Sequence, residues 1–252
     1  MCCFSRPVQS VSATNIFARS GAEGRQFLVY SMTLKAKEAL AMVLPLPVKP
    51  SSGEKAVSFI DLKGYHEFFA DLRKGFPEPL TPAADNTRAL GAPPPAKLDV
   101  VTVGSFEASF VPTVGDFSRL DERFRLPAGT WDKLPAYRDH GFAVFKLKPG
   151  ESKIHPMAFS FPRARPAELF FPTVHIHDGK VHERAKFDHV LYCQRGAADQ
   201  FTLLDWEESF RPAGFFMDLK KAQSLLDGGE HCYKRALTGT LPNQDAILKS
   251  EA

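Results

Sequence analysis

The sequence predicts an α+β fold: β-rich, with mostly antiparallel sheets and two or three peripheral helices. Three observations lead there. Phenylalanine is abundant, with 22 residues among 252, and Phe favours strands and large cores. Twenty prolines cut the chain into many short elements joined by stiff loops. Short apolar runs bounded by turn residues recur in both halves, whereas helical periodicity is confined to a few stretches. With 44% hydrophobic and 24% charged residues the chain can build a core, which excludes global disorder.

Each element has a local reason. Val8 to Arg19 is rich in β-branched residues, and Gln26 to Leu34 follows a Gly-bearing turn, so the two read as a hairpin. Leu40 to Val48 is apolar throughout, as in a strand buried on both faces. Pro45 and Pro47 put that strand near an edge or its end. Phe59 to Leu62 is a further short strand. Tyr65 to Phe76 predicts a helix: Tyr65, Phe68, Phe69 and Leu72 fall on one face, and Gly75 ends it. A proline-rich loop follows at about 77–97. Strand character is alike on its two sides, so residues 1–252 are read as a single β-rich domain.

Val100 to Pro112 predicts one or two strands, and Asp116 caps a short helix with Phe117, Leu120 and Phe124 on one face. Trp131 to His140 is helical or irregular, broken by Pro135. Strands return at Phe142 to Leu147, Pro156 to Phe161, Leu169 to His177, His189 to Gln194 and Phe201 to Leu204. Asp218 to Asp227 predicts a helix capped by Asp218 and stopped by Gly228. The tail after Leu237 reads as loosely held.

The formal net charge is +3, and no run of five like charges occurs, so no nucleic-acid partner is expected. No apolar stretch reaches membrane-spanning length, and the first residues lack the apolar segment of a secretion signal. The expectation is a cytoplasmic protein without a membrane partner, its four cysteines reduced. No GxSxG, P-loop, dinucleotide-binding glycine run, HExxH or CxxC motif is present.

Two groups of residues carry chemistry. Removal of Met1 would leave Cys2 with a thiol beside a free α-amine. That pair suits an N-terminal nucleophile or a sulfur–nitrogen chelate. Kept behind Met1, Cys2 and Cys3 are small buried residues. The second group is Val174-His175-Ile176-His177-Asp178-Gly179-Lys180-Val181-His182. Asp-Gly between strand-like flanks predicts a two-residue hairpin. Alternation then sets His175, His177, Lys180 and His182 on one face. Imidazoles on one face bind Zn, Cu or Fe. His189 and Cys193, four apart on a strand, share a face too, and His155 is a further candidate ligand. In the plainer reading these histidines are the wet face of a hairpin.

Cys2-Cys3-Phe4, Pro7-Val8, Ile16-Phe17, Val29-Tyr30 and the run Met42 to Pro47 follow one another in a distinctive order. Phe145 to Gly150 and His155 to Phe159 come later. In these stretches the chain resembles a bacterial domain family of unknown function, many of whose members are secreted. This sequence lacks their secretion signal and the glycines between their first cysteines. The resemblance implies a β-rich fold and transfers no catalytic residue. It draws attention to the N-terminal cysteine.

Three functions follow. The first is a metal-binding or redox protein that holds copper, iron or zinc. Its ligands are His175 and His177, a thiolate from Cys2 or Cys193, and His155 or His189. The second is an amidohydrolase with Cys2 as nucleophile and Arg6 or Arg19 on a substrate carboxylate. The third is a non-catalytic binding module, with the aromatic helix and the proline-rich loop framing an apolar groove. Substrate, partner and oligomeric state are unknown at this stage.

Overall fold

The computed structural model describes residues 2–77, 101–103, 106–127, 129–196 and 199–250. For Cys2 and for residues 101–103 and 151–153 it describes the backbone. The proline-rich loop expected at about 77–97 lies almost wholly outside the described residues.

The first strands are β1 (Cys2–Phe4), β2 (Ser10–Ser20), β3 (Arg25–Ala36), β4 (Leu40–Leu46) and β5 (Ser58–Ile60), followed by helix α1 (Phe68–Lys74). Next come β6 (Val101–Val103), β7 (Phe106–Val111), β8 (Gly141–Leu147), β9 (Gly150–Lys153) and β10 (Met157–Pro162). The last are β11 (Glu168–Phe171), β12 (His175–Ile176), β13 (Arg184–Gln194), β14 (Glu207–Glu208), β15 (Tyr233–Pro242) and β16 (Ala246–Lys249). One sheet runs β12-β1-β4-β8-β7-β6. A larger one runs β14-β15-β13-β2-β3-β10-β5, with β9 also on β3, and β11 pairs β16 apart from both. The β-rich expectation holds. The sheets are mixed, because β1–β12 and β2–β13 are parallel while the other pairs are antiparallel.

Strand alternation builds the layers. In β4 all seven residues are buried. Leu40, Met42, Leu44 and Leu46 enter the main core, while Ala41 and Val43 enter a second cluster on the other face. In β8, Ala143, Phe145 and Leu147 face the main core and Phe142 and Val144 face away. The larger sheet supplies Leu28, Tyr30 and Met32 of β3, and Met157, Phe159 and Phe161 of β10, to that same core. Its outer face carries Phe17, Val29 and Tyr192 under Phe68, Phe69 and Leu72 of α1. The two sheets therefore share one apolar layer, and each has a cover on its far side. Pro45 sits in β4 past the residues paired with β1, where a missing N–H costs no ladder bond.

Helix is scarcer than expected. Among the described residues α1 alone is α-helical, and the other helical pieces are 3-10 turns. Val114–Arg119 and Glu122–Phe124 are two of these, and they do bury Phe117, Leu120 and Phe124. The helix expected over Asp218 to Asp227 is instead a series of turns. Asp218 caps one of them through Lys221 N at 3.1 Å. Gln223 and Ser224 then take φ of 49° and 65°, which an α-helix does not allow. Phe201 to Leu204 forms a lone bridge at Phe201 rather than a strand. The tail is not loose. Residues 233–242 pair along β13, and the Asp245 carboxylate accepts from Thr173 N, Val174 N and Tyr137 OH. The α1 face expected to line a groove is buried against the larger sheet.

Candidate functional site

The histidines meet through an unexpected pairing. The Asp-Gly hairpin does not form. His175 and Ile176 pair in parallel with Cys2 and Cys3 of β1. On its other side the His175 backbone is satisfied by a side chain: Asn243 Oδ1 accepts from His175 N at 2.7 Å, and Asn243 Nδ2 donates to His175 O at 2.9 Å. Asn243 thus stands in for a neighbouring strand. Asp178 folds onto its own turn, accepting from Lys180 N at 3.0 Å and contacting His182 Nε2 at 2.9 Å. The His182 side chain is exposed, although Asn243 Nδ2 also donates to His182 O at 2.9 Å.

His189 comes next to His175. Leu191 and Cys193 of β13 face the inter-sheet core, so alternation points His189 the same way. Its side chain is 1% exposed. The His175 ring lies 4.8 Å from the His177 ring and 4.6 Å from the His189 ring, centre to centre. Phe187 packs on His175 at 4.5 Å and Phe4 on His177 at 5.6 Å. Three imidazoles thus stand together at the β12 end of the inter-sheet layer.

This corner contains polar atoms without partners. His175 Nε2, His177 Nε2, both ring nitrogens of His189 and Thr14 Oγ1 are buried and unbonded among the described residues. Thr14 immediately precedes Asn15, the residue paired with Val190 next to His189. Asp188 Oδ1 is 3.6 Å from His189 Nδ1, beyond hydrogen-bond range. Asp188 Oδ2 accepts from Ala13 N at 2.7 Å. Ala13 sits where the β2–β3 register shifts and has φ 52°.

Burial decides the protonation of the rings. It pushes His175 down to about 2, helped by the neighbouring His189 and His177, and His177 down to about 4. Burial also lowers His189, outweighing the Asp188 carboxylate. All three are neutral at physiological pH, the form a metal ion takes. As they stand, however, no group of three or more His, Cys, Asp or Glu among the described residues is arranged to hold a metal ion.

The other expected ligands separate. Cys193 shares the face of His189 but lies four residues along the strand, about 13 Å away. It is buried in the apolar core, and that burial drives its thiol well above the ordinary range, so it supplies no thiolate here. His155 stacks on Phe106 at 4.0 Å and meets His66 at 5.4 Å, in a different place. Cys2 keeps its backbone level with His175, and its side chain lies outside the described structure. Arg19 packs over Phe27 and donates to Ser224 O, so it is committed elsewhere. Thr14 and Asp188 were missed as neighbours of the site. The parallel β2–β13 pairing brings Thr14 there, and no local pattern announces it, whereas Asp188 simply adjoins His189 in the chain.

No protein-family model matches the chain, and no curated protein matches it. Among solved structures it is similar to baculovirus P35, at 12% identity and a TM-score of 0.49, over 96% of this chain and 97% of that one. A mutated baculovirus P35 after caspase cleavage matches at 12% identity and 0.49, over 95% and 100%. A caspase-8/P35 complex matches at 12% identity and 0.47, over 95% and 96%.

Proposed function

We propose that the chain binds a transition-metal ion through His175, His177 and His189. One observation carries this reading: three neutral imidazoles are packed together with ring nitrogens that are buried and unbonded. An unsatisfied buried polar atom costs about 1–3 kcal/mol, and one ion would satisfy several at once. Imidazole nitrogen suits zinc, copper and iron. The rings must turn about their side-chain bonds to converge, since the present arrangement does not enclose an ion. Cys2, level with His175 across β1 and β12, is the candidate for a fourth ligand.

The test is calorimetric titration of the purified protein with Zn²⁺ and Cu²⁺. The expected result is one ion per chain, with affinity lost in His175→Ala and His189→Ala and unchanged in His155→Ala. No binding by the parent protein, or equal binding by His189→Ala, rejects the reading. Cys2→Ser then shows whether the thiol takes part.

A further inference from the structure

We propose that a second site, independent of the histidines, binds a small aromatic carboxylate. It is a cleft of about 570 Å³ bordered by Arg6, Phe117, Glu122, Arg125 and Trp131. That volume lies in the range of small-molecule sites. One wall is aromatic. The Trp131 ring packs on Phe117 at 5.2 Å and on Phe142 at 4.4 Å, so it is a firm platform for a flat ring.

The polar groups specify the charge. Arg125 donates from Nε to Leu120 O at 2.9 Å, and from one Nη to Ser118 O at 2.7 Å and Leu120 O at 2.6 Å. These bonds fix the guanidinium plane. The remaining Nη makes no hydrogen bond among the described residues, so a donor is held in place before any ligand arrives. Arg6 is exposed and makes no hydrogen bond or ion pair with a described residue. Glu122 is likewise unpaired there. Two guanidiniums against one carboxylate leave one positive charge, which a monoanion balances. Guanidinium and carboxylate match as a planar pair. Ser5 also borders the cleft, but its hydroxyl is spent on Arg123 O and Ala41 N, so it reads nothing.

The chain has two tryptophans, Trp131 and Trp206, so indole N–H resonances of ¹⁵N-labelled protein give a local readout. Phenylacetate is the probe and phenylacetamide its uncharged counterpart. Phenylacetate should move the Trp131 resonance saturably and leave that of Trp206 in place. Phenylacetamide should bind about tenfold more weakly or worse, as expected when a charge-assisted bond is lost. Arg6→Ala removes an exposed side chain that bonds nothing among the described residues, so the fold should be retained, and it should weaken phenylacetate several-fold. Arg125→Ala should weaken it by about tenfold or more. No saturable shift, equal binding of the amide, or unchanged affinity in Arg6→Ala would overturn the proposal. Should Arg125→Ala fail to fold, Arg6→Ala and the amide decide alone.

Discussion

The layer between the two sheets has two unlike ends. Toward β10, Phe159 packs among Phe59, Phe145 and Phe161 with ring centres 5.9–6.3 Å apart, and every contact is apolar. Toward β12 the same layer holds His175, His177, His189 and Thr14 with polar atoms that no described residue satisfies. The first end gains stability from its burial, and the second loses some. The difference teaches where to look for function: a fold does not need three buried imidazoles to close this gap, and apolar residues would close it better.

The largest way to break the comparison is at the aromatic end. Phe159→Ala should destabilise the protein by about 3–5 kcal/mol in chemical denaturation. A loss under about 1 kcal/mol would mean that the aromatic end is not the tighter one. At the histidine end the sign reverses. His189→Leu should raise stability by about 1–3 kcal/mol, since it removes two unsatisfied nitrogens, while abolishing metal binding. A strong loss of stability there would show that the ring is held by bonds absent from this structure.

Acid sharpens the contrast. The three rings have folded values below the unfolded histidine value, so the unfolded chain binds more protons as pH falls. Their contribution is intact above about pH 6.5 and is lost below it, down to about 4 for His177. Each ring adds a slope of up to about 1.4 kcal/mol per pH unit. Denaturation midpoints measured from pH 7.5 to 4.5 should fall, and fall less in His175→Phe. A flat profile in the parent protein would contradict neutral burial. The smallest effect is expected at the bulge. Ala13→Gly removes a left-handed cost of about 1–2 kcal/mol but adds glycine's entropy cost of about 0.5–1 kcal/mol. It should therefore raise stability by no more than about 1.5 kcal/mol, checked in the same denaturation assay.

Much of the strand content was legible because alternation and continuous apolarity are local signals. β3, β4, β8 and β10 fall close to where their side chains predict them, and their burial on two faces follows from unbroken hydrophobic runs. The site was half legible. Alternation along β13 set His189 and Cys193 on one face, and the spacing of His175 and His177 marked them as a pair. The Asp-Gly turn misled because its hairpin competes with a more distant partner: the Asn243 amide bonds both His175 O and His182 O and so stands between the two arms that the hairpin would have paired. A shared strand face put Cys193 in the expected ligand set, and His155 joined it only as a further imidazole at a strand entry. A shared face says nothing of distance along a strand, and no local pattern reports which strands become neighbours. The helix reading failed at Gln223 and Ser224, whose φ of 49° and 65° breaks the helix; the Gln223 side chain donates to the Asp61 carbonyl, a contact across the fold.

The clamp on His175 has a consequence for how the molecule assembles. Its strand is two residues long and is held by β1 on one side and by the Asn243 amide on the other. Neither support is close in sequence, and each requires closing a long loop before any bond rewards it. The long β2–β3 hairpin pairs strands close in sequence and can nucleate early. The histidine corner should therefore be among the last parts to become native in refolding, with the ring environment maturing after the sheets.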